Sequence, residues 1–398
     1  MALFARLQPA HLHYGVITGG YWGFTITDGA IRMLVLLYFH LLGYSPFAVA
    51  MLFLFYEFFG IVTNLLGGWL GARIGLNLTM QIGMVLQVVA LLMLTVPESW
   101  LTVGYVMAAQ ALSGIAKDLN KMSAKAAVKT VVSEGNAAAL FKWVAILTGS
   151  KNALKGAGFF IGAALLQWVG FQMALQILAA LLFVTFLITL MLLPQGIGQM
   201  SGKAKFSQIF SHIPAINTLA AARFFLFASR DIWFVVGLPV YLYEGLHWSF
   251  TQIGTFMALW VIGYGMVQAL APRLLSGRSD GRTSRFWVLL LALLPAAMGW
   301  CLAQGWPADQ VIVVGLILFG VIFAINSALH SYLILAYADH DKVAMSVGFY
   351  YMANAAGRLA GTVLSGLLYQ TFGLVGCLVG SALFLLAAAV ISVKLPDA

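Results

Sequence analysis

Charge is what this sequence has least of. Asp, Glu, Lys and Arg make up 8% of its 398 residues while 62% are hydrophobic, and a soluble domain carries about 25% charged residues. With a mean hydropathy of +0.96, a soluble globular fold is excluded. Cysteine is nearly absent. Cys301 and Cys377 both fall in apolar stretches and read as small buried hydrophobes; neither a disulfide nor a metal motif is expected. Carboxylates are outnumbered, with 12 Asp and Glu against 21 Lys and Arg. That shortage weighs against a site for cations. No nucleophile–base set stands out either, so no catalytic residue, cofactor or metal is assigned and an enzyme is not expected.

Long apolar runs are what the chain does have. Twelve are each long enough to cross a bilayer: 15–42, 47–71, 78–97, 101–125, 138–166, 171–193, 216–243, 249–275, 284–304, 308–336, 343–370 and 373–394; a spanning helix needs about 20 residues. The fold class is therefore an all-α membrane protein with 12 transmembrane helices. The first run is too long for a cleavable signal and reads as an anchor. The net charge of +9 does not point to nucleic acid, because part of it lies in loops and the rest inside the spans.

The loops set the orientation. Arg73, Lys129, Lys203, Lys205, Arg273, Arg278, Arg282, Arg285 and Lys342 all lie on one side with the tails' Arg6 and Lys394; the opposite loops carry only Glu98, Glu244 and Asp309. By the positive-inside rule both termini are cytoplasmic. The longest hydrophilic connection, 194–214, divides the chain into six-span halves, 1–193 and 215–398. This layout resembles the major facilitator superfamily, whose halves are repeats about an axis along the membrane normal. An offset of 203 residues pairs Asp28 with Asp231, Lys155 with Arg358, Gly158 with Gly361 and Gln167 with Gln370. Residues 67–75 (GGWLGARIG) resemble that superfamily's G-x-x-x-D-R/K-x-G loop. Gly68, Arg73 and Gly75 fit, while Gly71 stands where the acid is usual.

The charges inside the spans are mostly positive. The bases are Arg32, Lys117, Lys121, Lys151, Lys155, Arg223, Arg230 and Arg358, and the acids Asp28, Glu57, Asp118 and Asp231; eight against four leaves a surplus of four. A basic side chain at a helix centre costs roughly 2.5–3.5 kcal/mol, and an anion would relieve that cost. Helical spacing puts Asp28 and Arg32 on one face, where they can pair, and likewise Lys151 with Lys155 and Lys117 with Lys121. Arg230 and Asp231 are adjacent; Asn354 precedes Arg358 by four residues, and Asn326 precedes His330 by four. Lys121, Lys125, Lys142 and Arg223 have snorkelling to the membrane boundary as an alternative, and His330 reads as a packing residue or a proton carrier. Arginine suits phosphate-like groups because its planar fork bonds two oxygens at once.

Several segments resemble the ArsJ family: 21–34 (YWGFTITDGAIRML), 51–71 (MLFLFYEFFGIVTNLLGGWLG), 109–125 (AQALSGIAKDLNKMSAK), 142–158 (KWVAILTGSKNALKGAG), 222–236 (ARFFLFASRDIWFVV) and 258–272 (ALWVIGYGMVQALAP). The resemblance implies an organoarsenical efflux permease of the bacterial inner membrane. Its substrate would be 1-arseno-3-phosphoglycerate, supplied by glyceraldehyde-3-phosphate dehydrogenase acting on arsenate. It assigns no binding residues, so the site is read from the charges. Arg32 and Arg230 are expected to clamp one oxyanion and Lys151, Lys155 and Arg358 the other. Lys117 and Lys121 would add charge, and Asn64, Asn152 and Asn354 would bond the hydroxyl or remaining oxygens. Asp28, Glu57, Asp118, Asp231 and His330 are the ion-pair or proton-coupling candidates. Glu57 is preferred for coupling because it has no basic partner on its own helix. The partners expected are the anion and the bilayer, with the chain acting as a monomer. A phosphate-ester or other organic-anion transporter or antiporter fits the charges equally well.

Overall fold

The computed structural model describes residues 9–44, 52–130, 132, 136–199, 211–248, 250–275, 279–339 and 342–396. Arg6, Lys203, Lys205, Arg278 and most of the 194–214 connection lie outside them. Among the described residues there is no strand. The helices are α1 (Pro9–Leu41), α2 (Leu54–Ile74), α3 (Leu76–Met93), α4 (Val103–Ala127), α5 (Ala137–Val169), α6 (Phe171–Leu192), α7 (Pro214–Phe234), α8 (Gly237–Glu244), α9 (Phe250–Leu274), α10 (Gly281–Ala303), α11 (Ala308–Tyr337) and α12 (Val343–Ser392).

Their ends follow from local chemistry. Thr102, Asn136 and Asp280 each accept a hydrogen bond from the first turn of the helix they precede, which satisfies a donor the helix leaves open. Pro214 opens α7, where its missing N–H costs nothing. Three spans pass into the next through one glycine in a left-handed backbone region: Gly75 (φ 97°) between α2 and α3, Gly170 (φ 79°) between α5 and α6, and Gly373 (φ 64°) inside α12. Only glycine adopts such angles without strain. Gly373 divides α12 into two of the expected spans, and it stands 203 residues after Gly170.

The expected seventh span is broken. α7 stops at Phe234 and α8 begins at Gly237. The Ser365 hydroxyl from α12 accepts the freed N–H groups of Val236 (3.3 Å) and Gly237 (3.1 Å). Inside a bilayer a break persists only where protein satisfies the backbone it releases.

The chain forms two compact units. The first comprises 1–140, 150–210 and 338–352, and the second 141–149, 211–337 and 353–398. Glycine contacts show why two short segments leave their own half. A Cβ at Gly68 of α2 would lie 2.6 Å from the Ala344 carbonyl oxygen and 2.8 Å from the Gly348 Cα, so the start of α12 packs directly on α2 within the first unit. In the second unit a Cβ at Gly149 would come within 2.6 Å of the Ala269 nitrogen on α9. Small residues permit such backbone approach between membrane helices.

Among the described residues, seven helical stretches are long and apolar enough to cross a membrane: α3, α6, α7 with α8, most of α9, α10, α11 and α12. α1, α2, α4 and α5 carry charged side chains along their length. Those four position the first unit's charges.

Candidate functional site

In the first unit α1 and α5 cross closely. A Cβ at Gly158 would sit 2.5 Å from the Ile26 carbonyl oxygen, and one at Gly29 would sit 2.5 Å from that of Lys155. The crossing delivers Lys155 Nζ to Asp28 Oδ2 at 2.7 Å. The other Asp28 oxygen accepts the Tyr56 hydroxyl of α2 at 2.6 Å. With both oxygens engaged, the expected Asp28–Arg32 pair does not form. Arg32 turns instead to Glu57 Oε1, 3.3 Å away. Lys117 lies 3.9 Å from Glu57 Oε2 and 3.7 Å from Asp118 Oδ2. Lys121 pairs with Asp118 at 2.5 Å, one turn back on its own helix.

Glu57 therefore touches two bases from other helices, and the reason for preferring it over Asp28 or Asp231 as a proton carrier falls away. Intrahelical spacing cannot register partners on a neighbouring helix.

The second unit repeats the arrangement. A Cβ at Gly361 of α12 would sit 2.6 Å from the Ala228 carbonyl oxygen of α7. The crossing brings Arg358 Nε to Asp231 Oδ2 at 3.3 Å. Arg230 bonds the other Asp231 oxygen through Nε at 2.6 Å. The base-to-acid pairs Lys155–Asp28 and Arg358–Asp231 are thus the same contact made twice, 203 residues apart. Both aspartates are buried, with side chains 3% and 1% exposed, whereas Arg32 and Arg358 keep 27% and 26%. In each unit an arginine is the part of the cluster most open to a small anion.

The remaining candidates divide. Lys151 donates to Asn152 Oδ1 at 3.1 Å. Asn64 is fully buried; its amide donates to the Gly60 carbonyl within α2, and its Oδ1 has no hydrogen-bond partner among the described residues. Asn354 accepts from Arg223 Nε at 2.9 Å, and Arg223 also donates to the Ser327 carbonyl at 3.3 Å. Arg223 is therefore held inside the second unit and does not snorkel. Lys125 is likewise buried, while Lys142 is exposed. His330 is fully buried on α11, with no hydrogen-bond partner on either ring nitrogen. Asn326 bonds the Ile322 carbonyl at 3.1 Å.

Of the bases named from the sequence, Arg32, Lys117, Lys121, Lys151 and Lys155 fall in the first unit beside three acids. Arg223, Arg230 and Arg358 fall in the second beside one. The surplus of four divides evenly, two to each unit.

Aromatic rings were not foreseen in the site. Lys117 Nζ stands 3.8 Å from the Tyr56 ring centre, Arg32 Cζ 4.9 Å and Lys155 Nζ 5.9 Å. Lys121 lies 4.4 Å from the Tyr351 ring. In the second unit Arg223 and Arg230 lie 3.8 Å and 5.0 Å from Phe227, and Arg230 lies 5.4 Å from Phe323. Tyr56 sits in an aromatic-rich run, MLFLFYEFFG, and no spacing singles out one ring from the others.

Residues 219–397 match the family model of the Major Facilitator Superfamily. Solved structures match over nearly the whole chain. The human organic anion transporter MFSD10 (TETRAN) aligns with a TM-score of 0.79 at 16% identity, covering 97% of this chain and 100% of that one. The chain has the major facilitator fold. A bacterial homologue of the iron transporter ferroportin, in its outward-facing state, has that fold too, aligning at 0.74 and 17% identity over 98% and 99% of the two chains. So does the proton:xylose symporter XylE, at 0.72 and 14% over 98% and 96%. No protein of curated function matches the sequence. With this fold and its apolar helices, the chain is a multi-pass membrane protein.

Proposed function

We propose that the chain is a transporter of a multiply charged organic anion, and that the anion is the organoarsenical phosphate ester 1-arseno-3-phosphoglycerate, exported from the cytoplasm. The observation that carries the anion reading is the duplicated cluster. Each cluster holds more bases than acids: Arg32, Lys117, Lys121 and Lys155 with Asp28, Glu57 and Asp118, and Arg230 and Arg358 with Asp231. An anionic ester would supply the negative charge that such a cluster lacks. The ester itself is suggested by the ArsJ-like segments, since the charges alone suit any phosphate ester. The fold is shared with a human organic anion transporter. Pentavalent arsenic in an ester is an oxyanion and needs no thiolate, in keeping with only two cysteines.

Expelling an anion from a negative-inside cell is electrically downhill by about 2.3 kcal/mol per charge per 100 mV, so uniport is sufficient. Uptake by everted vesicles tests the reading, with the arsenic ester generated in the assay by glyceraldehyde-3-phosphate dehydrogenase and arsenate. Arsenate, arsenite and 3-phosphoglycerate serve as competitors. The ester is expected to accumulate, and Lys155→Ala and Arg358→Ala are each expected to reduce its uptake more than tenfold, a loss of about 1.4 kcal/mol or more. Normal uptake by both variants sinks the site. Uptake of 3-phosphoglycerate in preference to the ester shifts the substrate to an ordinary phosphate ester.

A further inference from the structure

Four bases of the first unit, Arg32, Lys117, Lys121 and Lys155, are gathered beside three acids, and one neutral side chain touches more of this cluster than any acid does. Tyr56 is 1% exposed. Its hydroxyl donates to Asp28 Oδ1 at 2.6 Å, and its ring lies within 6 Å of Lys117, Arg32 and Lys155. The placement is fixed from behind. A Cβ at Gly114 would strike the Tyr56 carbonyl oxygen, so α4 rests on the α2 backbone at this residue. Lys117, three residues on, then projects over the ring.

A ring and a carboxylate hold a cation in different ways. A carboxylate cancels its charge. The face of an aromatic ring attracts the cation through a quadrupole and leaves the unit charge in place. The hydroxyl adds a second effect. By occupying one oxygen of Asp28 it leaves the other to Lys155, the one ion pair of that carboxylate among the described residues. Arg32 pairs with Glu57, and Lys117 lies near both Glu57 and Asp118.

We propose that Tyr56 is a positioning residue for anion binding: its ring seats Arg32 and Lys117 without cancelling them, and its hydroxyl holds one oxygen of Asp28 while Lys155 holds the other. The substrate class is an anion, since the four bases of this cluster exceed its three acids. The second unit places Phe227 and Phe323 against Arg223 and Arg230, rings with no hydroxyl, so steering of an aspartate by an aromatic belongs to the first unit. The proposal rests on the anion-transport reading above.

The test uses vesicles bearing the full chain, with transport of the arsenic ester generated in the assay and rates normalised to protein in the membrane. Tyr56→Phe keeps the ring and frees Asp28. It is expected to raise KM about tenfold or more, the scale of a lost hydrogen bond to a charged group, with Vmax within about twofold. Tyr56→Leu also removes the ring and is expected to raise KM further. Unchanged KM in both variants overturns the proposal, as does a fall in Vmax alone, which is what a purely structural tyrosine would give. The Phe variant decides the matter by itself where the Leu variant fails to fold. Absence of transport by the unaltered chain overturns the anion reading itself and this proposal with it, an outcome distinct from active variants with unaltered KM.

Discussion

In the first unit a lysine on α5 reaches a buried aspartate on α1; in the second an arginine on α12 reaches a buried aspartate on α7, each residue displaced by 203. The scaffold is shared down to the close glycine crossing beside each pair. The surroundings are not. Three lysines, Arg32, three carboxylates and a tyrosine hydroxyl fill the first cluster. Arginines, one carboxylate and phenylalanine rings fill the second. The repeat thus keeps a geometry and lets its chemistry diverge. Its second copy gathers arginines around one acid; its first spreads four bases over three acids.

The largest expected effect tests that difference. Among the described residues Asp231 pairs with both Arg230 and Arg358, and Asp231→Asn removes this ionic partner from both. Removing one member of a buried ion pair costs about 3–5 kcal/mol, so thermal unfolding in detergent should show a large loss. Asp28→Asn should cost less, because Glu57 and Asp118 remain among the bases of the first cluster. Equal losses in the two variants would break the comparison.

Next in size are the glycine crossings. Gly158→Ala and Gly361→Ala each place a methyl against backbone, 2.5 Å and 2.6 Å from a carbonyl oxygen. Overpacking of this kind costs about 1–3 kcal/mol, and similar shifts in unfolding midpoint are expected from both. A large effect in one alone would mean that the repeat does not extend to packing.

The smallest effect lies outside the clusters, at the head of α10. The Asp280 carboxylate is partly buried, which opposes ionisation. Hydrogen bonds with Thr283 outweigh that and hold its pKa below the usual value. Its contribution to stability is present above the ordinary carboxylate range and is lost as pH falls through the lowered value. Asp280→Ala should cost about 1 kcal/mol near neutrality, whereas Asp280→Asn should keep the cap and lose its pH dependence. The same pH dependence in the Asn variant would assign the titration to another group.

The helices were legible because spans of some twenty apolar residues have one solution in a bilayer. The repeat was legible because Asp28 with Lys155 and Asp231 with Arg358 survive in sequence at one spacing. Three features were not. The break at residues 235–236 lies in an uninterrupted apolar run, and the group that makes it tolerable, Ser365, is distant in sequence. The partner of Arg32 was misread because helix-face spacing counts only neighbours on the same helix, and Asp28 is claimed by Tyr56 and Lys155. The movement of 141–149 and 338–352 out of their own halves rests on glycine-to-backbone contacts, which leave no trace in hydropathy.

The single-glycine turns bear on how the chain enters the membrane during synthesis. α2 and α5 carry charged side chains, and Gly75 and Gly170 tie them to α3 and α6, which are among the apolar stretches. Each pair can insert as a hairpin whose apolar member compensates the charged one, with insertion costs set by the pair rather than by single segments. On this hypothesis α5 fused alone to a glycosylation reporter should insert poorly and α5–α6 efficiently; efficient insertion of α5 alone would dispose of it. A residue added between α5 and α6 would then act before folding begins, at the translocon, by turning a compact hairpin into two helices that arrive one at a time.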